Sequence, residues 1–550
     1  MNGHTPDARD GRGPSPVVVL GNGPVGQTAA LLLARWAVPV ILLDQRPHRD
    51  PVGSKAIVQQ RDVLDVWDAV GAGRRIADEG LTWTVARTFY RDQELFNYTF
   101  ADPGRSVFPP FVNISQTRTE EVLDQRIAAE PLIDVRWDHH VTGIAQDEQG
   151  VTLHCGNRAV QASYVVACAG ARGDDIRRML GVRFDGRSFD DRFLICDIRT
   201  DLPGWANERR FYFDPPWNPG RQVLIHPCPD STFRIDWQVP AGEDRAVGVD
   251  PGGRDARIRA IIGDRPYELV WSSVYRFHSR VVDRMRVGRV LLAGDLAHLV
   301  SPFGARGLNS GVQDAENAAW KLAFVLNGWA DESLLDSYHA ERHAAARENL
   351  DVTDATMRFL VPGTEAEHQH RLAVLEAAGT DAGARAAVDS GRLAEPFWYV
   401  DSPLTTPNPN HPFTGRPPRG AVPPAGPGIL VPDAPIAIGG RPTRIRQIAR
   451  DGFLLLAGER VDADAVHAAA QRATSAPVRV ERITDIDHDS ALATVLAAHP
   501  EELWIIRPDA HVAAVLTDPG PAAAGTALRR ATAAPTTTEE RDHGVLPADR

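Results

Sequence analysis

The chain has 550 residues, more than one hydrophobic core normally organises, so about two to four domains are expected. Hydrophobic residues make up 43% and charged residues 24%, which describes a globular chain and excludes a largely disordered or fibrous one. A formal net charge of -12 argues against nucleic acid or an anionic membrane as the main partner, and no apolar run approaches the roughly 20 residues of a membrane span.

In chain order, residues 1–15 are polar and unpatterned and read as a disordered tail. The opening "MNGHTPDARDGRGPSP" lacks the apolar core of a signal peptide, which points to a cytoplasmic protein. In "VVVLGNGPVGQTAALLLARWAVPVILLDQRP" a short apolar strand, Val17 to Leu20, is followed by a glycine-rich turn, a helix from Gln27 to Trp36, and a second strand, Val40 to Leu43, ending in Asp44. A lone G-x-G-x-x-G is weak evidence. An acid about 20 residues beyond it, at the end of the next strand, is where a dinucleotide-binding fold places its ribose ligand. Gly21 then permits the tight turn, Gly23 lets a pyrophosphate approach the backbone, and Gly26 allows close helix–strand packing, with the helix N-terminus facing the phosphates. The alternation of strands and helices continues to about residue 185. Gln116, in "NISQTRTEEVL", can by itself merely open a helix.

Residues 186–286 change character. Short strands such as "RRFYFDPP", "QVLIHP" and "TFRIDWQVP", separated by Pro, Gly and Asp, read as an inserted antiparallel sheet. Along "FRIDWQVP", Ile235, Trp237 and Val239 share one face and Arg234, Asp236 and Gln238 the other. That polar face is either solvated or turned towards a ligand. Residues 287–398 resume the first pattern with strand Val290 to Ala293, which ends in Gly294-Asp295. A Pro- and Gly-rich turn then leads into a helix beginning near Leu308 or Asn309. Residues 399–427 form a Pro-rich linker, 428–520 a small α/β domain with strands "GFLLLAG", "PVRVERI" and "ELWIIRPD", and 521–550 a second unpatterned tail. The four cysteines (Cys155, Cys168, Cys196 and Cys228) contain no C-x-x-C pair, so neither a disulfide framework nor a metal site is supported.

"GDLAHLVSPFGARGLNSGVQDAENAAWKLA" closely resembles the G-D motif of single-component FAD-dependent aromatic hydroxylases, and in particular the branch of 3-(3-hydroxyphenyl)propionate hydroxylase and polyketide-tailoring oxygenases. The resemblance covers roughly residues 15 to 395 and, more weakly, the C-terminal domain. It implies a Rossmann-like FAD-binding domain carrying the inserted sheet as substrate domain, and a C-terminal thioredoxin-like domain. That last domain has no cysteine, so its role is packing or oligomerisation, such as in a homodimer. The resemblance makes the dinucleotide FAD. It gives Gly21, Gly23 and Gly26 to the pyrophosphate, Asp44 to the adenosine ribose, Gln116 to the phosphates and Asp295 to the ribityl chain. The backbone N–H groups of Gly307 and Leu308 go to the flavin pyrimidine edge, and Arg234 to the cofactor. Pro302 is placed beside the substrate, with His226 and Asp236 facing it. NAD(P)H is implied as hydride donor and O2 as co-substrate, one oxygen passing through a C4a-hydroperoxyflavin to a phenolic or polycyclic aromatic ring. His226, Asp236 and His298 are the candidate bases.

One motif departs from the family. In "VVACAGARGDDIRRMLG" Ala169 stands where the family's D-G motif has aspartate and Gly173 where it has serine, while Gly170 and Arg177 remain; Asp174 or Asp175 is a candidate to compensate. That aspartate is associated with FAD and NAD(P)H binding. If the departure disables hydride delivery, oxidase-type dehydrogenation on the same flavin is the alternative; Baeyer–Villiger or epoxidation chemistry, and a non-catalytic or partner-binding flavin protein, are the other readings.

Overall fold

A computed structural model describes residues 15–49, 56–99, 106–239, 250–418 and 421–534. The tail at 1–14 and the part of the C-terminal tail from 535 onwards lie outside the described residues. Strands Val17–Leu20 and Val40–Leu43 form where the apolar runs put them, and the helix between them is Pro24–Arg35, three residues earlier than its expected start. Proline suits a first helical turn, because its fixed φ matches and its missing N–H has no acceptor there anyway. These strands sit inside a six-stranded sheet in the order Arg286–Val287, Val290–Leu292, Val165–Ala167, Val17–Leu20, Val40–Leu43, Ile133–Arg136. Every neighbouring pair is parallel except the first. Val17, Val18 and Val19 are fully buried, as a parallel sheet covered on both faces requires. Helix Arg306–Leu326 lies against Pro24–Arg35 and turns Val312, Ala315, Ala319 and Leu322 into this core.

The second sheet has eight strands, in the order His298–Leu299, Glu268–Val282, Phe184–Arg199, Thr232–Val239, Gln222–Cys228, Glu208–Phe213, Val85–Tyr90, Gln93–Thr99. It is wider than the expected 186–286 insertion. Val85–Tyr90 pairs in parallel with Glu208–Phe213 and brings Gln93–Thr99 with it, so two of its strands come from the first segment of the nucleotide-binding region. Ile235, Trp237 and Val239 pack in one buried cluster with Leu194, Cys196 and the helix Pro251–Ile262. The opposite face carries Arg234, Asp236 and Gln238, as the two-residue period dictates, together with an aromatic cluster of Phe193, Phe211, Phe213, Phe277 and Phe303.

The C-terminal unit is a four-stranded sheet in the order Val478–Arg482, Phe453–Ala457, Glu502–Ile506, Val512–Thr517. The first pair is parallel and the others antiparallel. The expectation of an unpatterned tail from 521 is corrected here. Pro521–Ala531 is a helix that buries Ala524, Ala527, Leu528 and Ala531 against this unit, since alanine at helical spacing makes a small apolar stripe. The Pro-rich segment has no helix or strand among its described residues, but it is not a free tether. Tyr399, Leu404 and Thr405 are buried. Thr406 N–H donates to Ala513 O (2.8 Å) and Asn408 Nδ2 to Val515 O (2.8 Å), covering the edge of strand Val512–Thr517. Trp36, Trp320, Phe324, Trp329 and Phe453 join the two α/β units in edge-on contacts. All four cysteines are free and buried. Among the described residues no helix is long and apolar enough to cross a membrane.

Candidate active site

The glycine turn is built by close approach. A Cβ on Gly26 would lie 1.9 Å from Gly21 O, and one on Gly21, at φ +101°, would lie 2.4 Å from Cys168 O. A Cβ on Gly23 would meet nothing within 4 Å. The backbone there faces open space at a helix N-terminus, the place an anionic pyrophosphate approaches. Asp44 accepts from Asn22 N–H (2.8 Å) and from Arg46 through N–H (2.8 Å), Nε (3.0 Å) and Nη2 (2.9 Å). Burial works to raise its carboxyl, but the Arg46 and Asn22 donors outweigh it and hold Asp44 below the usual carboxylate range. A ribose at Asp44 must therefore share the carboxylate with Arg46, a partner the sequence reading missed. Gln116 is the first residue of helix Gln116–Ala128, whose cap is Ser115. Its Oε1 accepts from Ala56 N–H (3.2 Å) and its Nε2 donates to Glu120 (2.8 Å).

The second turn, Gly294–Leu296, leaves Asp295 exposed. Buried Asp314 fixes this turn. Its Oδ2 takes Gly294 N–H (3.0 Å) and His298 Nε2 (2.7 Å), and its Oδ1 takes Arg342 Nε (2.7 Å). His298 is thus committed to a buried contact rather than placed as a base. The following helix begins at Arg306, two residues before Leu308. Ala305 caps it at φ +57°, and Gly304, at φ +99°, has room only for hydrogen, since a Cβ would sit 2.2 Å from Arg392 O. Left-handed backbone on an alanine costs about 1 kcal/mol or more and is held where the surroundings over-determine it. Gly307 and Leu308 fall in the first turn, so their N–H groups have no intrahelical acceptor and point along the positive end of the helix dipole. Asn309, not singled out by the sequence, clamps this helix. It donates to Val58 O (3.0 Å) and Ala305 O (2.6 Å) and accepts from Gln60 N–H (2.9 Å).

Across from this loop is the second sheet. Phe303, next to exposed Pro302, packs its ring 5.4 Å from Phe193 and 5.8 Å from Phe277. Sheet register sets His226 opposite Arg234, Arg234 opposite Asp197, and Asp236 between Leu224 and Ile195. Arg234 grips Asp197 through Nε (2.7 Å) and Nη2 (2.9 Å). Its charge is therefore balanced within the sheet, by a residue the sequence reading did not name. His226 has no partner on Nδ1. Burial, then the Arg209 and Arg234 charges, push it well below its ordinary value and keep it neutral. Asp236 Oδ1 is shielded from solvent without a hydrogen bond. Burial lifts its carboxyl to about 7, against the pull of Arg234 and with a push from Asp197. A carboxyl poised at neutrality beside a neutral imidazole can take a proton from a bound group.

Residues 14–353 match the family described as FAD binding domain. A flavin-dependent monooxygenase of Mycobacteroides abscessus is 33% identical over 375 residues, covering 63% of this chain and 75% of that protein. The chain belongs to the FAD-dependent monooxygenase family. Its dinucleotide is FAD. The open backbone at Gly23 and the first-turn N–H groups of Gly307 and Leu308 fit the cofactor's pyrophosphate and ring edge. Another relative of this flavoprotein is the 3-(3-hydroxy-phenyl)propionate/3-hydroxycinnamic acid hydroxylase of Mycobacterium sp. (strain JLS). It is 29% identical over 350 residues, and the match spans 63% of the chain but only 60% of that protein's length. Among solved structures, the flavin-dependent monooxygenase PieE in complex with FAD and substrate shares the fold, with a TM-score of 0.81 at 22% identity over 95% of this chain and 99% of that one.

The flavoprotein's departure at 169–177 now has a geometry. A Cβ on Gly173 would lie 2.2 Å from Leu296 Cδ1, so Leu296 fills the room a serine there would use. Arg177 is buried and donates to Leu296 O (2.9 Å) and Ala171 O (3.0 Å), tying this loop to the Gly294–Leu296 turn. Asp174 and Asp175 do not stand in for the missing carboxylate. Both are exposed and paired with Arg177 and Arg178 on their own helix.

Proposed function

We propose that this protein is a monooxygenase that uses NAD(P)H and O2 to hydroxylate a phenolic or polycyclic aromatic substrate. Bound FAD supplies the redox chemistry, accepting hydride and activating O2 for transfer of one atom to an electron-rich ring. The observation that carries the reading is Asp236, a half-buried residue whose carboxylate Oδ1 is shielded from solvent without a hydrogen bond, on the sheet face where Phe303 packs. In this reading Gly21, Gly23 and Gly26 admit the pyrophosphate, Asp44 takes the ribose, Gln116 supports the phosphate side and Asp295 holds the ribityl chain. Gly307 and Leu308 donate to the ring edge. Arg234, held in place by Asp197, contacts the cofactor from the sheet face. Asp236, or His226 beside it, receives the phenolic proton as the ring becomes more nucleophilic. Pro302 and Phe303 wall the chamber and keep water from the reacting atoms. The relatives' names support an aromatic substrate, since one of them acts on 3-(3-hydroxyphenyl)propionate. We further read the C-terminal unit as thioredoxin-like, a reading supported by its mixed four-stranded sheet with helices Ala463–Ala473 and Pro521–Ala531.

Anaerobic bleaching of the flavin by NADPH and NADH, with and without a panel of phenols and polycyclic aromatics, tests this. The expected result is reduction that one aromatic class accelerates, followed by a hydroxylated product when air is admitted. Ala169 favours one second reading, a flavoenzyme not reduced by nicotinamide. If dithionite bleaches the flavin and neither nicotinamide does, that reading replaces the first.

A further inference from the structure

A buried charge cluster outside the proposed chamber runs from the Gly294–Leu296 turn into the C-terminal unit. Asp314 holds Gly294 N–H and His298 on one carboxylate oxygen and Arg342 on the other. Arg342 extends its Nη1 to the Tyr399 hydroxyl (2.9 Å) and its Nη2 to Ser310. Asn317 Nδ2 also reaches that hydroxyl (3.3 Å). The Tyr399 ring belongs to the other side. The Arg507 guanidinium lies 4.9 Å from its centroid and the His511 ring 4.3 Å away. Arg507 in turn grips Glu341 (2.6 and 3.0 Å) and Asp509 (3.1 and 2.6 Å), and Glu341 also receives Lys321 (2.6 Å). Asp314, Lys321, Glu341, Arg342 and Arg507 have side chains at most 1% exposed.

We propose that Tyr399 is a positioning residue for the flavin, the joint through which the C-terminal unit holds the cofactor-carrying turn in place. This rests on the reading that Gly294–Leu296 carries the ribityl chain. The members are buried and bonded to one another, so each one's position is set by its neighbours. Removing the Tyr399 hydroxyl leaves Arg342 Nη1 and Asn317 Nδ2 buried without that acceptor. Arg342 then shifts towards Ser310, Asp314 follows it, and Gly294 N–H loses its fixed direction. The Pro-rich segment thereby works as a strut, because its Tyr399 hydroxyl meets Arg342 while its ring meets Arg507 and His511, and its Ser402 hydroxyl donates to Glu341 (2.5 Å).

The test is FAD binding by the full chain, read by the dissociation constant and by the visible circular dichroism of the bound flavin. The parent is measured first, and a parent that does not bind FAD overturns the functional reading and the coupling together. With a binding parent, Tyr399→Phe should weaken FAD about tenfold and alter the dichroism band. Arg507→Lys keeps the charge but loses the paired donors and should shift both readouts in the same direction; it decides the matter if Tyr399→Phe does not fold. Leu455→Ala is the control. Leu455 is a fully buried residue of the C-terminal core, and its loss should lower the melting temperature without moving either flavin readout. Parental FAD affinity in both Tyr399→Phe and Arg507→Lys overturns the proposal, as does an equal weakening in Leu455→Ala.

Discussion

Replacing Asp236 by asparagine tests whether the chamber holds a carboxyl against its solvation preference. In the folded chain its pKa is raised from 3.8 to about 7 by burial, whereas in the unfolded chain it is solvated. Between those values the native state binds a proton the unfolded state does not, so the contribution of this residue to stability declines as pH rises from 3.8 and levels off above about 7. Each tenfold in proton affinity is about 1.4 kcal/mol. Relative to pH values well below 3.8, the native state therefore loses about 1.6 kcal/mol by pH 5, where the unfolded chain alone has ionised, and about 4 kcal/mol by pH 8. Asparagine keeps the shape and cannot ionise. Urea unfolding of the FAD-loaded protein at both pH values should show the variant gaining about 2 to 3 kcal/mol on the parent between them. Turnover should fall by about 10² to 10⁴ and lose its rise with pH around neutrality. A stability difference that does not change with pH would refute the reasoning, because every effect of the substitution other than ionisation acts equally at both values.

The second and third glycines of the turn should fail differently. Gly26→Ala meets Gly21 O at 1.9 Å and should lose FAD together with thermal stability, whereas Gly23→Ala meets nothing in the chain and should keep the apoprotein's melting temperature while binding FAD at least tenfold more weakly. Flavin absorbance per mole of protein, set beside melting curves, separates the two. Arg234→Met strands buried Asp197 and should cost about 3–5 kcal/mol in urea unfolding, most of it recovered by adding Asp197→Leu. Phe303→Ala removes the ring that meets Phe193, Phe211 and Phe277 and should cost about 3–5 kcal/mol in the same assay.

Local pattern carried much of this architecture. Val17–Leu20 and Val40–Leu43 are runs of β-branched and leucine residues bounded by turn formers, and they form as those residues dictate. The alternation from Arg234 to Val239 is equally local, since the backbone pleat alone assigns its two faces. What escaped was set at long range. Val85–Tyr90 joins the second sheet by pairing with a strand more than 100 residues away, and nothing in its own composition says which sheet it enters. Pro521–Ala531 is alanine-rich, so its apolar stripe is too faint to read without the surface it covers. At the site, the glycines and Asp44 announce themselves by spacing. Arg46 lies two residues from Asp44, but its spacing alone does not say that its side chain folds back onto the carboxylate. Asp197 and Asn309 act through Arg234, Val58 and Gln60, partners distant in the chain and on other elements.

The four buried thiols provide a record of how the molecule opens. Burial holds Cys168 above its ordinary value and pushes Cys196 and Cys228 up to about 12, so none reacts until its surroundings part. Cys155 and Cys168 lie in the nucleotide-binding region, Cys196 and Cys228 in the second sheet, and none in the C-terminal unit. Thiol labelling over time therefore acts as a pair of clocks, one for each half of the flavin enclosure, while the third unit stays silent. A difference in their rates reports which wall gives way first.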